Sequence, residues 1–274
     1  MRELTIAFLG DIFASPGRMV VSQQLPTMRD RHGPDLVIAN AENAARGLGL
    51  TPELYWKLRG YGIDAITLGD HALREPKIAK VLQCPGEPIA RPANFPAAAI
   101  GREFIRLEPS GDRTKSVFVI TVLGRIFVSA PADDPFAAVD RVLSQLPEPD
   151  PVVIVEAHME ATSEKAALAQ YLDGRVAAVL GTHTHVPTAD ARILPGGTAF
   201  ITDVGMCGPY QSVIGRDSQA VIRHMRTGEF VPWGIGTGDE RMCGAVVGVD
   251  VTTRKARRIE RIEYKADPGQ KPFA

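Results

Sequence analysis

The chain has 274 residues, with 31 Lys plus Arg against 32 Asp plus Glu, so no large excess of charge marks it for duplex nucleic acid, and 45% hydrophobic content excludes disorder. Its three cysteines, Cys84, Cys207 and Cys243, form no CxxC, so a reducing, cytoplasmic setting without disulfides is expected. No apolar run approaches the roughly 18 residues of a membrane span, and the first one is a strand's length, too short for a signal sequence.

The first half alternates short apolar runs with amphipathic stretches, the pattern of parallel βαβ units. A strand over 4–9 ends at Gly10-Asp11. A helix over 16–31 follows, with Ser15 as N-cap and Pro16 in its first position. The second strand, 36–39, runs into Asn40-Ala41-Glu42-Asn43. Thr51-Pro52 opens a helix that closes near Gly60 or Gly62. The third strand, 63–68, ends at Gly69-Asp70-His71, and a helix interrupted by Pro76 covers 73–82. Short strands over 104–107, 116–121 and 125–129, with turns at Ser110-Gly111-Asp112 and Gly124, predict antiparallel pairing. A helix spans 133–146. A strand over 151–156 ends at Ala157-His158, and Thr162 caps a helix to about residue 172. The strand 176–180 ends at Gly181-Thr182-His183-Thr184-His185. The last third is Gly-rich, with strands near 198–202, 242–251 and 257–264 and a tail over 265–274. No repeat or linker is visible, so one domain over 1–274 with two sheet regions is expected.

The chemistry gathers at strand ends. Successive strands deliver Asp11, then Glu42 and Asn43, then Asp70 and His71, then His158, then His183 and His185. Ligands of open α/β sheets bind beyond the carboxyl ends of the strands, so these side chains should share one rim. Four of the six histidines occupy such ends; only His32 and His224 do not. Taken singly, a Gly-Asp is a turn and an Asp-His a satisfied polar pair. Taken together, carboxylates, an amide and imidazoles suit Mn, Fe or Zn. They are too many for one ion, whereas two ions about 3.5–4 Å apart sharing a carboxylate would use them.

At these residues the sequence resembles a known family. Gly10-Asp11-Ile12 with Ser15-Pro16-Gly17-Arg18, Asn40-Ala41-Glu42-Asn43-Ala44, Gly69-Asp70-His71, the run from His158 to Lys165, the run from Gly181 to Val186, and Thr202-Asp203-Val204-Gly205-Met206 with Gly208-Pro209-Tyr210 resemble the YmdB-like branch of the calcineurin-type metallophosphoesterases. The resemblance implies a four-layer α/β/β/α sandwich with mixed sheets. It also implies two transition-metal ions, iron or manganese with zinc as a further option, and phosphodiesterase activity on cyclic nucleotides such as 2′,3′-cyclic AMP. By the same resemblance Asp11, Glu42, Asn43 and His185 would hold one ion, with Glu42 bridging. Asp70, His158 and His183 would complete the other. A hydroxide shared by the ions would attack phosphorus, with His71 as the acid beside the leaving group. A homo-oligomer fits the family.

Two positions depart from that branch. It usually carries Asn at position 70 and Asp at position 156, where this chain has Asp70 and Glu156. With two divalent ions, a hydroxide and three carboxylates the centre is neutral; with Asn it would carry one positive charge. The neutral centre is expected to favour a monoanionic diester over a dianionic monoester, or to hold one ferric ion. Glu156 and Asp203 are candidate acceptors for the outer nitrogens of the histidines. Substrate contacts are less legible. Thr162 and Ser163 offer a helix N-terminus to a phosphate or form an ordinary cap. Arg46, in Arg46-Gly47-Leu48-Gly49, clamps a phosphate or ribose or is simply solvated. Tyr210 stacks on a base or belongs to the core, and Trp56 and Trp233 read as structural. The expected partner is a small phosphodiester. A nucleotidase-type phosphomonoesterase, or a nucleotide-sensing protein with little turnover, is the alternative.

Overall fold

A computed structural model describes residues 3–109, 116–267 and 269. The turn expected at Ser110-Gly111-Asp112, and residues 268 and 270–274 of the expected tail, lie outside the described residues.

In chain order the elements are β1 (Glu3–Leu9), β2 (Asp11–Ile12), α1 (Ala14–His32), β3 (Leu36–Asn40), α2 (Pro52–Gly60), β4 (Ala65–Thr67), a 3-10 turn (Pro76–Ile78), α3 (Ala79–Leu82) and β5 (Ile89–Ala90). Then come β6 (Ile105–Leu107), β7 (Val117–Leu123), α4 (Pro135–Gln145), β8 (Val152–His158), α5 (Thr162–Leu172), β9 (Ala178–Thr182), β10 (Arg192–Ile193) and β11 (Ala199–Ile201). The chain continues through β12 (Met206–Pro209), α6 (Ser218–Thr227), β13 (Glu240–Asp250) and β14 (Ala256–Lys265).

Two mixed sheets result. In the first, β1, β3, β4 and β5 are parallel neighbours, and β13 runs antiparallel to β1, β12 and β14. In the second, β7, β8, β9 and β11 are parallel, with β6 and β10 antiparallel at the two edges. Strand alternation sorts the apolar residues into layers. Ile6 and Phe8 of β1 meet Val119 of β7 and Ile154 of β8 between the sheets. Ala7 and Leu9 turn the other way, against Val21 and Leu25 of α1 and Tyr55 of α2. Phe118 and Val155 of the second sheet face Val139 of α4 and Leu168 of α5. This is the four-layer α/β/β/α sandwich with mixed sheets. Each fully buried aliphatic side chain contributes about 1.5–3 kcal/mol by leaving water, so the layer between the sheets fixes how their strand ends face each other.

Several elements differ from the sequence reading. Helix α1 starts earlier, with Phe13 as its N-cap and no side-chain cap, so Ser15 lies inside the first turn. Helix α5 has Ala161 as its N-cap, again without a side-chain cap, so Thr162 opens the helix rather than capping it. The helix expected over 73–82 is confined to the 3-10 turn and α3, beginning at Pro76. No strand forms over 125–129. The N–H groups of Arg125 and Ile126 donate instead to the Glu164 carboxylate (2.8 and 3.2 Å), and Phe127 takes φ 63°, which ends any ladder. Strand β12 and helix α6 were not anticipated.

Candidate metal centre

The ends of β1, β3, β4, β8 and β9 meet at one rim. After β1 the chain passes Gly10 directly against the Gly205 carbonyl, where a Cβ would collide, and delivers Asp11 fully buried. After β3 the Glu42 N–H donates to Asn40 Oδ1 (2.9 Å), a local turn that brings the Glu42 carboxylate inward. After β4 the chain crosses beneath His158 at Gly69. A Cβ there would strike the His158 ring and crowd Glu42 Oε2, so only glycine lets Asp70 and His71 reach the rim.

The seven expected ligand residues come together. His158 Nε2 faces Asp70 Oδ1 at 3.1 Å, His183 Nδ1 at 3.1 Å and Glu42 Oε1 at 3.2 Å. Ligand atoms of Glu42, Asp70, His158 and His183 all lie within 4.8 Å of one another. Asp11 joins through Oδ2, which accepts the His183 N–H (3.0 Å). Asn43 Nδ2 lies 3.2 Å from Glu42 Oε1 and 3.3 Å from His185 Nε2. In this setting the Asn43 oxygen is turned to His71 Nδ1 (2.9 Å) rather than to the centre. The isosteric setting, with O and N exchanged, would aim the oxygen beside His185. The observed one is favoured while the facing groups are acceptors.

The histidines are held from behind. His158 Nδ1 donates to Thr182 Oγ1 (2.9 Å), which donates to Glu156 Oε1 (2.8 Å). Glu156, fully buried, also accepts from Asn40 Nδ2 and Thr121 Oγ1 (both 2.7 Å). The acceptor at His158 Nδ1 is therefore Thr182 Oγ1 and not Glu156 as expected; Glu156 stands one hydroxyl further out and orients that threonine. Asp203 does not serve an imidazole. Its Oδ2 accepts from the Thr184 N–H (3.1 Å), the Thr184 hydroxyl (2.8 Å) and Lys165 Nζ (2.8 Å), and both members of the ion pair are fully buried. Thr184 lies between His183 at φ 90° and His185 at φ 65°, two non-glycine residues in left-handed backbone. Each such residue costs about 1–3 kcal/mol and persists only where its surroundings over-determine it. The Lys165–Asp203 pair supplies that restraint. His185 Nδ1 donates to the Ile214 carbonyl (2.9 Å), which leaves the Nε2 lone pair facing the centre.

The charges show what the cluster lacks. Among the described residues no Lys or Arg pairs with Asp11, Glu42 or Asp70; their partners are histidines. Burial opposes charge on His158, but Glu42 and Asp70 outweigh it and hold the ring well above the usual imidazole range. Burial raises Asp11 to about 7 against the pull of His158. Burial likewise opposes the charged forms of Glu42 and Asp70, yet the facing histidines hold both well below the usual carboxylate range. Burial lowers His185. One proton on His158 Nε2 cannot satisfy three facing atoms, and Asp11 Oδ1 is buried with no hydrogen-bond partner among the described residues. A cation among these oxygens and nitrogens would satisfy all of them, so the donor set fits a transition-metal site.

A cavity of about 640 Å³ opens onto the centre, bounded by Glu42, Asn43, His71, His183 and His185 on one side. Its far walls are Phe13, Leu48, Ile214, Arg216 and Trp233, of which Phe13, Ile214 and Arg216 were not singled out in the sequence. Trp233, expected to be structural, is 48% exposed there. Arg216 packs over the Phe13 ring (5.0 Å) and donates to the carbonyls of Arg46 and Gly47. Glu160, also unremarked, approaches His183 Nε2 at 3.3 Å. The four expected substrate residues sit less centrally. The Arg46 side chain is 88% exposed and paired with Glu75. Thr162 and Ser163 are exposed on α5 and do not line the cavity. The Tyr210 hydroxyl is bound behind the rim by Met206 and Cys243. His71 lines the cavity, and the pull of Glu42 and Asp70 outweighs burial to raise its pKa.

The family model described as YmdB-like protein matches residues 7–262 of this chain. The chain belongs to the YmdB-like family. A Bacillus subtilis (strain 168) relative, named 2′,3′-cyclic-nucleotide 2′-phosphodiesterase, is 42% identical over 264 residues, covering 96% of this chain and 98% of the relative. A crystal structure of a hypothetical protein from Thermus thermophilus is similar at TM-score 0.88 and 44% identity, covering 96% of this chain and 100% of that one. A structure titled a novel phosphatase from Mycoplasma pneumoniae is similar at TM-score 0.90 and 33% identity, covering 98% and 96%. The YmdB-like match spans the whole rim from Asp11 to His185, and Asp203 with it.

Proposed function

We propose that this YmdB-like chain is, over its whole length, one catalytic domain that hydrolyses phosphodiesters, with 2′,3′-cyclic nucleotides as the substrate class. The observation that carries the reading is the meeting of Glu42, Asp70, His158 and His183 around a point that their protons cannot satisfy. The name of the Bacillus subtilis relative supports the substrate class.

Asp11, Glu42, Asn43 and His185 would hold one ion and Asp70, His158 and His183 a second, with Glu42 between them. Iron or manganese suits the mixed oxygen and nitrogen donors, and zinc is the further option. Two such ions, when bound, supply Lewis acidity that lowers the pKa of a water and offsets charge on the phosphate oxygens. His71, whose Nδ1 lies 2.9 Å from the Asn43 amide, would give the proton at Nε2 to the leaving oxygen. Arg216 and the Phe13 and Trp233 rings would receive the nucleoside in the cavity. Asp70 places an additional carboxylate against the bound phosphate, which favours a monoanionic diester over a dianionic monoester. Cys84, Cys207 and Cys243 are free, in keeping with a cytoplasmic setting, and no helix among the described residues is long and apolar enough to cross a membrane. A homo-oligomer belongs to the same reading.

Elemental analysis of protein purified without chelator tests the centre, together with turnover of 2′,3′-cyclic AMP. The expected result is about two equivalents of transition metal. His158→Ala should lose about one equivalent and about 10²–10³-fold in turnover. Asp70→Asn should shift the ratio of bis-p-nitrophenyl phosphate to p-nitrophenyl phosphate cleavage toward the monoester. A folded, metal-replete protein that cleaves no phosphate ester would overturn the reading.

A further inference from the structure

The centre borders a second cavity, of about 460 Å³, that the cyclic substrate does not need. Asp70 and His71 are adjacent in the chain, yet Asp70 lines the second cavity and His71 the first. The cluster thus presents Asp70 to the second cavity and Glu42 and His183 to the first. Both volumes fall in the range of about 300–1,000 Å³ usual for small-molecule sites.

The second cavity has a built wall. One side is Ser129, the last residue of the segment where a strand was expected, with Ala130 and Pro131 after it. Asn94, 1% exposed, fixes both ends of that segment. Its Oδ1 accepts the Leu123 N–H (2.8 Å), and its Nδ2 donates to the carbonyls of Leu123 and Asp133 (both 2.9 Å). The Glu164 carboxylate holds the segment near its start, through the N–H groups of Arg125 and Ile126. Phe95 and Pro96 face this wall across the cavity. Arg74 adds a guanidinium that makes no ion pair or hydrogen bond among the described residues. Apolar faces with one free planar cation suit a heterocyclic base linked to a phosphate.

We infer that the second cavity receives the other nucleoside of a linear diester, so that the enzyme also cleaves short linear dinucleotides at the same centre. The inference rests on the phosphodiesterase reading. A 2′,3′-cyclic phosphate carries both ester oxygens on one ribose and fills one cavity; a linear diester carries a nucleoside on each side of phosphorus and fills two. Water forms the new bond to phosphorus as the bond to one nucleoside oxygen breaks. One proton of that water ends on the departing oxygen and the other passes to solvent, giving one nucleotide and one nucleoside.

Adenylyl-(3′→5′)-adenosine and 2′,3′-cyclic AMP are compared as substrates of the metal-loaded protein and of Ser129→Trp, which fills the second cavity from an exposed position. Binding of the slowly cleaved phosphorothioate dinucleotide is measured by calorimetry alongside. The variant should lose about tenfold in kcat/KM on the dinucleotide and bind its phosphorothioate about tenfold more weakly. Its cyclic AMP turnover, the control for folding, should not change. Ala99→Trp fills the same cavity from another wall and should repeat the pattern. Wild-type protein that cleaves cyclic AMP but not the dinucleotide, or variants that treat both substrates alike, overturns the second subsite. If neither substrate is cleaved, the catalytic reading fails. The subsite then stands if Ser129→Trp weakens phosphorothioate binding and falls if it does not.

Discussion

The two sheets give the candidate centre different chemistry. The first contributes oxygen and amide donors, Asp11, Glu42, Asn43 and Asp70, and the second contributes imidazoles, His158, His183 and His185. The oxygen donors are carried on turns fixed locally, by Asn40 Oδ1 on the Glu42 N–H and by the bare Cα of Gly69. Two of the imidazoles are carried on left-handed backbone and need Asp203 and Lys165 beneath them. Carboxylates crowded on one sheet repel one another, and a proton drawn onto His158 of the opposite sheet faces more acceptors than it can satisfy. A cation between them is what makes the juxtaposition favourable. The sheet-to-sheet core thus sets the geometry of the centre, and neither sheet alone forms a site.

That contrast breaks first at the strained side. Lys165→Met leaves the Asp203 carboxylate buried without its counter-charge and should cost about 3–5 kcal/mol, read as a fall in the urea midpoint, together with loss of bound metal. Adding Asp203→Leu removes the orphan charge and should restore most of the stability. Metal retention should stay poor, because Thr184 has then lost the acceptor for both its N–H and its hydroxyl. A double variant that keeps its full metal content would show that left-handed His183 and His185 hold their places without the clamp.

The next effect separates the imidazole that sits on regular strand from the two that do not. His158 ends β8 and depends on Thr182 and Glu156 rather than on the clamp. Glu156→Gln keeps the volume but turns an amide toward groups that already donate. Metal affinity, measured by chelator competition, should fall about 10–100-fold. Stability should change less than in Lys165→Met, since no charge is stranded.

The order of strands and the residues at their ends were legible because both follow local rules: apolar runs of strand length, then Gly, Asp, Asn or His. Nearly every strand of the two parallel cores lies within a residue or two of where periodicity puts it. What was not legible depends on partners far away in sequence. Glu164 withdraws the N–H groups of Arg125 and Ile126 from any ladder, so a β-prone segment becomes a cavity wall. Asp203 looks like an acceptor for a histidine until Lys165, which resembles any solvated helix residue, is found buried on it. Phe13, Arg216 and Trp233 reach the cavity from three loops, with no spacing to connect them.

The smallest effect compares an arginine that lines the cavity, Arg216, with one beside it, Arg46. Arg46 was singled out from its Gly-rich loop, whereas Arg216 was not. Arg46 takes φ 55° in that loop, and its side chain stands 88% exposed with a single long contact to Glu75. Such a pair contributes about 0–1 kcal/mol. Arg216 instead lies across Phe13, fastened to the backbone carbonyls of Arg46 and Gly47, and lines the cavity. A guanidinium held in place at a cavity wall loses little entropy on meeting a phosphate or base, while a free one must be ordered first. Arg216→Ala should therefore raise KM for 2′,3′-cyclic AMP about tenfold, the worth of one hydrogen bond to a charged group. Arg46→Ala should leave both kcat and KM within about twofold, as expected for a surface change. The reverse ranking would place the nucleotide at the outer lip of the loop rather than against Phe13.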